Sequence, residues 1–168
     1  MRFILDANAL IYLVKAGLSQ EFFDLTEDDV VIDKSVYNEV VEKGMEKKYP
    51  DAYNTKDFLE KNQIPIIPID IKSDLSKFRD PGETSCYILA KKEGICISSD
   101  IRANKKFKNL NVAFMELDTF FYNQFLKKKI DKKRFINILN ELKGVYGTSA
   151  NRISVFMELL QNEGEKNE

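Results

Sequence analysis

The sequence predicts an α/β fold: a parallel sheet flanked by helices, followed by an all-helical C-terminal extension. Three observations carry this. Short β-branched runs alternate with helical stretches through the first two thirds of the chain, an order that favours parallel strands joined by crossover helices. Acidic residues directly follow two of those runs. After Asp118 the pattern turns helical throughout.

Taken in order, Arg2 to Leu5 reads as a short buried strand, and the apolar stretch 8–15 as a covered helix that Gly17 closes. Val30-Val31-Ile32 is the next strand. Residues 35–43 follow as a helix ended by Gly44, with Val36, Val40 and Val41 on its apolar side. The polar segment 45–61, with Tyr49, Tyr53, Phe58 and Leu59, reads as a helical excursion and a short loop. Residues 64–69 have strand composition, but Pro65 and Pro68 confine them to a short or edge strand. Asp80-Pro81-Gly82-Glu83 opens a helix that ends near Gly94, and Ile95-Cys96-Ile97 is a strand leading into Ser98-Ser99-Asp100. A short helix and the strand 112–115 complete the α/β core. Helices are then expected over 120–127, over 131–143 with Phe135, Ile138, Leu139 and Leu142 on one stripe, and over 154–160. We expect a single domain over 1–168, with an α/β core over 1–117, C-terminal helices over 118–162 and a frayed tail over 163–168.

The chain has 168 residues, 43% hydrophobic and 32% charged, a length and balance suited to a globular core without disulfides. Lys plus Arg total 26 against 27 acids, which argues against a protein held to nucleic acid by bulk charge. Cys86 and Cys96 form no CxxC pair and are read as reduced core thiols. The start of the sequence lacks a charged leader before an apolar stretch, and no apolar run is long enough for a bilayer, so a cytoplasmic protein without membrane contact is expected. The histidine count is 0. That excludes serine triads, cysteine–histidine pairs, histidine-based metal-free ribonucleases and zinc sites with imidazole ligands.

Asp6 and Asp100 each follow an apolar strand, at the carboxyl edge where open α/β sheets bind ligands. Each also fits a helix N-cap. Glu39 stands in the early part of its helix at the border of the apolar stripe, where an ordinary acid is favoured by the dipole. Glu83 has a capping-box alternative with Asp80 as the cap, yet it shares a helical face with Cys86, Tyr87 and Ala90, a stripe that otherwise looks buried. Four converging acids repel one another unless a divalent cation neutralises them. All-oxygen ligation in a chain without histidine points to a hard cation, Mg²⁺ or Mn²⁺, that activates water toward phosphorus.

Arg102, Lys105, Lys106 and Lys108 follow Asp100 and are placed to steer a phosphate backbone, or else line a solvated helix face. The run Lys127-Lys128-Lys129 with Lys132, Lys133 and Arg134 reads as structural. Phe120, Phe121, Tyr122 and Phe125 read as core or interface in preference to base-stacking platforms. The last helix, with Ile153, Val155, Phe156, Met157, Leu159 and Leu160, is apolar enough to cover the core or meet another subunit.

Leu5-Asp6-Ala7-Asn8, Ser35-Val36-Tyr37-Asn38-Glu39-Val40, Pro81-Gly82-Glu83-Thr84-Ser85 and Ile97-Ser98-Ser99-Asp100 occur in the order of the PIN-domain nucleases. The sequence resembles that family, which includes the VapC-type toxins of toxin–antitoxin pairs. The resemblance implies a Rossmann-like sheet, Mg²⁺- or Mn²⁺-dependent hydrolysis of RNA, frequent homodimers and, for a toxin, an antitoxin protein as partner. Carried over by position, Asp6, Glu39, Glu83 and Asp100 are the acidic, metal-binding site, with Asn8 and Ser98 as polar support. Many members carry a further acid shortly after the fourth; this sequence has Asn104, which supplies no charge but joins the polar support through hydrogen bonds, so one metal is expected and a second is left open. A catalytically inactive PIN-like module binding RNA or a protein is the alternative reading, and a DNA-directed metal nuclease of similar fold a third.

Overall fold

The computed structural model describes residues 2–72, 74–76, 78 and 80–165, without the side chains of 93 and 163–165. Five parallel strands form one sheet in the order β3-β2-β1-β4-β5. The strands are β1 (Arg2–Leu5), β2 (Asp29–Asp33), β3 (Ile66–Ile67), β4 (Gly94–Ile97) and β5 (Phe114–Met115). Phe3, Ile4 and Leu5 are all buried; because successive strand residues point to opposite faces, both faces of the sheet are covered. This is the α/β architecture read from the strand–helix alternation. The proline-flanked β3 lies at the edge and is short, as its two prolines require.

Helix α1 (Ala7–Lys15) follows β1 and ends in Gly17 at φ 72°, a left-handed stop suited to glycine. Helix α2 (Ser19–Leu25) was not legible in the sequence; its one buried residue, Phe22, meets the Phe120 and Phe121 rings. So short a segment shows no helical periodicity of its own, and tertiary packing holds it.

After β2 the chain runs through α3 (Lys34–Tyr37), a π-helical turn at Asn38–Glu42 and α4 (Lys43–Glu46). Gly44 therefore does not end a helix. A Cβ at Gly44 would stand 2.7 Å from the Ala52 Cβ, so this glycine lets α5 (Pro50–Lys61) pack closely against α4. Helix α6 (Pro81–Glu93) lies against β4 and β1. Gly94 belongs to the extended start of β4, with φ −153°.

Helix α7 (Ile101–Asn109) leads to β5, and α8 (Leu117–Leu126), α9 (Lys132–Gly144) and α10 (Ala150–Glu165) complete the described chain. Helix α10 starts before the expected residue 154 and continues past 162; residues 166–168 of the expected tail lie outside the described residues. Phe120, Phe121 and Phe135 are fully buried core residues, and Tyr122 and Phe125 pack against the same cluster. Asp118, at 1% side-chain exposure, forms an ion pair with Arg152 and accepts a hydrogen bond from Thr148, tying α8 to α10. Arg134 joins α9 to α2 through Glu21 and also meets Glu141. Within that run Arg134 thus contributes to packing, whereas Lys127, Lys128, Lys129, Lys132 and Lys133 are exposed. Cys86 and Cys96 are free and buried.

Candidate functional site

The strand order reverses at β1, whose neighbours are β2 on one side and β4 on the other. Beyond the carboxyl ends of the strands at such a switch point, the connections diverge and leave a crevice. Here it is a cleft of about 200 Å³ lined by Asp6, Ala7, Asn8, Glu39, Asp80, Gly82, Glu83 and Asp100. The acids Asp6, Glu39, Glu83 and Asp100 and the neighbouring Asn8 are therefore brought together.

Asp6 directly follows β1, and its Oδ1 accepts a hydrogen bond from the Ala9 N–H at 2.7 Å. Asp100 lies three residues past the end of β4; its Oδ1 accepts from Arg102 N–H at 2.7 Å and Ala103 N–H at 3.0 Å. Asp80 caps α6 in the same way, its Oδ1 accepting from Glu83 N–H at 2.9 Å. Capping and lining the cleft are thus compatible. Each cap holds one carboxylate oxygen and so fixes the side chain of a residue that also lines the cleft. For Glu83 the cap involves only its backbone; its carboxylate Oε2 lies 3.1 Å from Lys106 Nζ.

Glu39 sits in the π-helical turn, a geometry that interrupts the regular i→i+4 ladder and re-aims the side chains around it. Gly82 faces it: a Cβ there would lie 3.7 Å from Glu39 Oε2 and 3.1 Å from Asp80 Oδ1. A side chain at this position would fill the space between the two acids.

Burial raises the Asp6 carboxyl from 3.8 to about 7, opposed by hydrogen bonds from Ser98 and Ala9 and assisted by the charges of Asp100 and Glu83. Glu39, although exposed as a residue, is also raised, first by partial desolvation of its carboxyl and then by the Asp80 charge, with Lys43 opposing. Ser98 is fully buried. Besides its bond to Asp6, its Oγ accepts from Asp100 N–H at 3.2 Å, so one hydroxyl links the two strand-end aspartates.

Asn104 is buried, and its amide donates to the Ser98 carbonyl at 3.2 Å. It supports the loop that carries Asp100 and does not line the cleft. Arg102 and Lys105 are exposed on α7 outside the cleft lining. Lys106 reaches Glu83 and lies over the Phe78 ring at 5.2 Å.

One acid of the cleft, Asp80, was not singled out by the sequence, and neither was a buried strand-end acid outside the cleft lining, Asp33. Asp80 read only as a cap, yet its place three residues before Glu83 puts both at the start of one helix, beside the cleft. Asp33 directly follows Val30-Val31-Ile32, the same pattern that singled out Asp6. It is 2% exposed, its Oδ1 accepts from Ser35 N–H at 2.6 Å, and its Oδ2 has no hydrogen-bond partner. Ser35 Oγ lies 3.2 Å from Ser85 Oγ, which donates to the Gly82 carbonyl. This chain of contacts links the helical segment bearing Glu39 to the one bearing Glu83.

The cleft acids offer only oxygen donors, which fits a hard divalent cation. Among the described residues, no three Cys, Asp or Glu side chains stand close enough together to hold a metal as placed. No helix among the described residues is long and apolar enough to cross a membrane.

Residues 2–114 match the family model of the PIN domain. The chain belongs to the PIN-domain family, whose members are generally nucleases that bind RNA and typically use divalent metals. No curated protein matches it in sequence.

Proposed function

We propose that this protein is a divalent-metal-dependent endoribonuclease that hydrolyses RNA phosphodiester bonds at the acidic cleft. The observation that carries the reading is the convergence of Asp6, Glu39, Asp80, Glu83 and Asp100 on one cleft at the sheet's switch point. Asp6 and Asp100 would hold Mg²⁺ or Mn²⁺, with Glu39 and Glu83 completing the acidic set. When bound, the cation supplies charge neutralisation and Lewis acidity toward water and the leaving oxygen. Ser98 orients Asp6 and the Asp100 backbone, and Asn8 offers a polar group at the cleft wall. Arg102 and Lys105 present positive charge from α7 to the RNA backbone, while Lys106 balances Glu83.

The test is cleavage of single-stranded RNA with Mg²⁺ or Mn²⁺. Activity is expected for the native chain and a loss of at least about a hundredfold for Asp6→Asn or Asp100→Asn, in keeping with removal of a metal ligand or its support. Undiminished cleavage by a nuclease-free preparation of either variant refutes the reading. A VapC-type toxin role is its narrower form: induced expression should arrest growth, Asp6→Asn should not, and a neighbouring antitoxin should relieve the arrest. A homodimer joined through the exposed Val155 and Leu159 of α10 is checked by light scattering.

The alternative is a catalytically inactive PIN-like module. One contact favours it: Lys106 gives Glu83 a cation of its own, 3.1 Å away. Calorimetric titration with Mn²⁺ separates the two, since the inactive module binds none.

A further inference from the structure

We propose that the segment outside the matched family region builds a nucleotide-binding groove beside the acidic cleft, with Tyr146 as a base-stacking platform and Lys143 as a phosphate contact. The inference deepens the ribonuclease reading and takes from it the substrate class, single-stranded RNA. The groove has a volume of about 390 Å³ and is lined in part by Ser99, Ile101, Lys143, Tyr146 and Arg152. Ser99 and Ile101 flank Asp100, which lines the acidic cleft. The residues on either side of Asp100 thus belong to the groove while Asp100 itself belongs to the cleft, so a strand with its phosphate at the cleft has the groove beside it.

Tyr146 is 87% exposed and adopts φ 65°. A bulky residue is costly in the left-handed region, and an aromatic ring so exposed recovers none of that cost through burial. The turn that carries it is firmly seated. Gly147 N–H donates to the Leu142 carbonyl at 2.8 Å, and a Cβ on Gly147 would come within 3.3 Å of the Tyr12 Cβ. Tyr12 belongs to α1, the helix capped by Asp6. Helix α1 therefore borders both the acidic cleft and the turn presenting the ring.

Lys143, in the last turn of α9, is exposed. Glu116 is the groove's acid, and it lies 3.1 Å from Arg152 Nε, which also engages Asp118. Its charge is thus offset within the wall, leaving Lys143 as the cation available to a phosphate. Ile101, 79% exposed, adds apolar surface next to Asp100. An exposed ring, an accessible cation and continuity with the cleft suit a base and its phosphate, since every base offers a π-face and every nucleotide a negative charge.

The experiment measures binding of a labelled oligouridine of about 12 nucleotides by fluorescence anisotropy, in EDTA so that no cleavage occurs. Loss of one stacked base predicts affinity weakened roughly 5- to 150-fold in Tyr146→Ala and nearly kept in Tyr146→Phe. Lys143→Ala should weaken binding and lower the salt slope by about one phosphate contact. Tyr146→Gly should lose the same affinity as Tyr146→Ala yet unfold at higher urea, because glycine relieves the left-handed backbone; a purely structural tyrosine would give the opposite shift. Equal affinity for the native chain, Tyr146→Ala and Lys143→Ala overturns the groove, as does absence of RNA binding. Tyr146-dependent binding without cleavage in Mg²⁺ or Mn²⁺ supports the groove and removes the nuclease reading. Cleavage that depends on Asp6 but not on Tyr146 or Lys143 leaves the nuclease and removes the groove.

Discussion

Asp6→Asn should stabilise the metal-free protein at neutral and higher pH, although it removes a residue central to the proposed chemistry. Asp6 is 6% exposed, and burial lifts its carboxyl from 3.8 to about 7. Between those values the folded state holds a proton that the unfolded state has released. Stability therefore falls as pH rises from about 4 to about 7 and is level beyond, the penalty reaching on the order of 4 kcal/mol. Asparagine removes the charge and can keep the Ala9 N–H bond through Oδ1. Urea unfolding in EDTA should find the variant more stable by roughly 2–4 kcal/mol at about pH 8, with the difference closing near about pH 4. Adding Mg²⁺ or Mn²⁺ to about tenfold its Kd should return about 1.4 kcal/mol to the native chain and nothing to the variant. A variant less stable than the native chain at the higher pH, or a difference independent of pH, would refute the assignment of this penalty to a buried Asp6 carboxylate.

Gly44→Ala should destabilise by about 1–3 kcal/mol in urea despite alanine's better helix propensity, because the new methyl meets the Ala52 Cβ at 2.7 Å; unchanged stability would show that α4 and α5 separate freely. Arg152→Ala should cost about 3–5 kcal/mol by leaving the buried Asp118 without its ion partner, with hydrogen exchange rising first in α10. Lys106→Ala should change stability by less than about 1 kcal/mol, since its pair with Glu83 is partly exposed, but should tighten Mn²⁺ binding measured calorimetrically by removing a competing cation.

What the sequence determined by itself rests on local chemistry. The β-branched runs set the parallel strands, the absence of histidine narrowed the chemistry, and the placement of Asp6 and Asp100 after strands marked the sheet edge, since these depend on periodicity and short-range order. The joining of Glu39 and Glu83 across the chain followed only from family order, because residues 44 positions apart in sequence are brought together by packing alone. Tertiary structure decided the rest. It showed that Gly44 serves a close helix approach and that α2 exists by docking Phe22 against the Phe120 and Phe121 rings. It placed Asp80 beside the other acids, set Lys106 against Glu83, turned Asn104 toward the Ser98 carbonyl, and brought the turn carrying Tyr146 to the flank of Asp100. Each of these depends on which surfaces meet when strands pair and helices cross, and a local sequence pattern does not specify those distances.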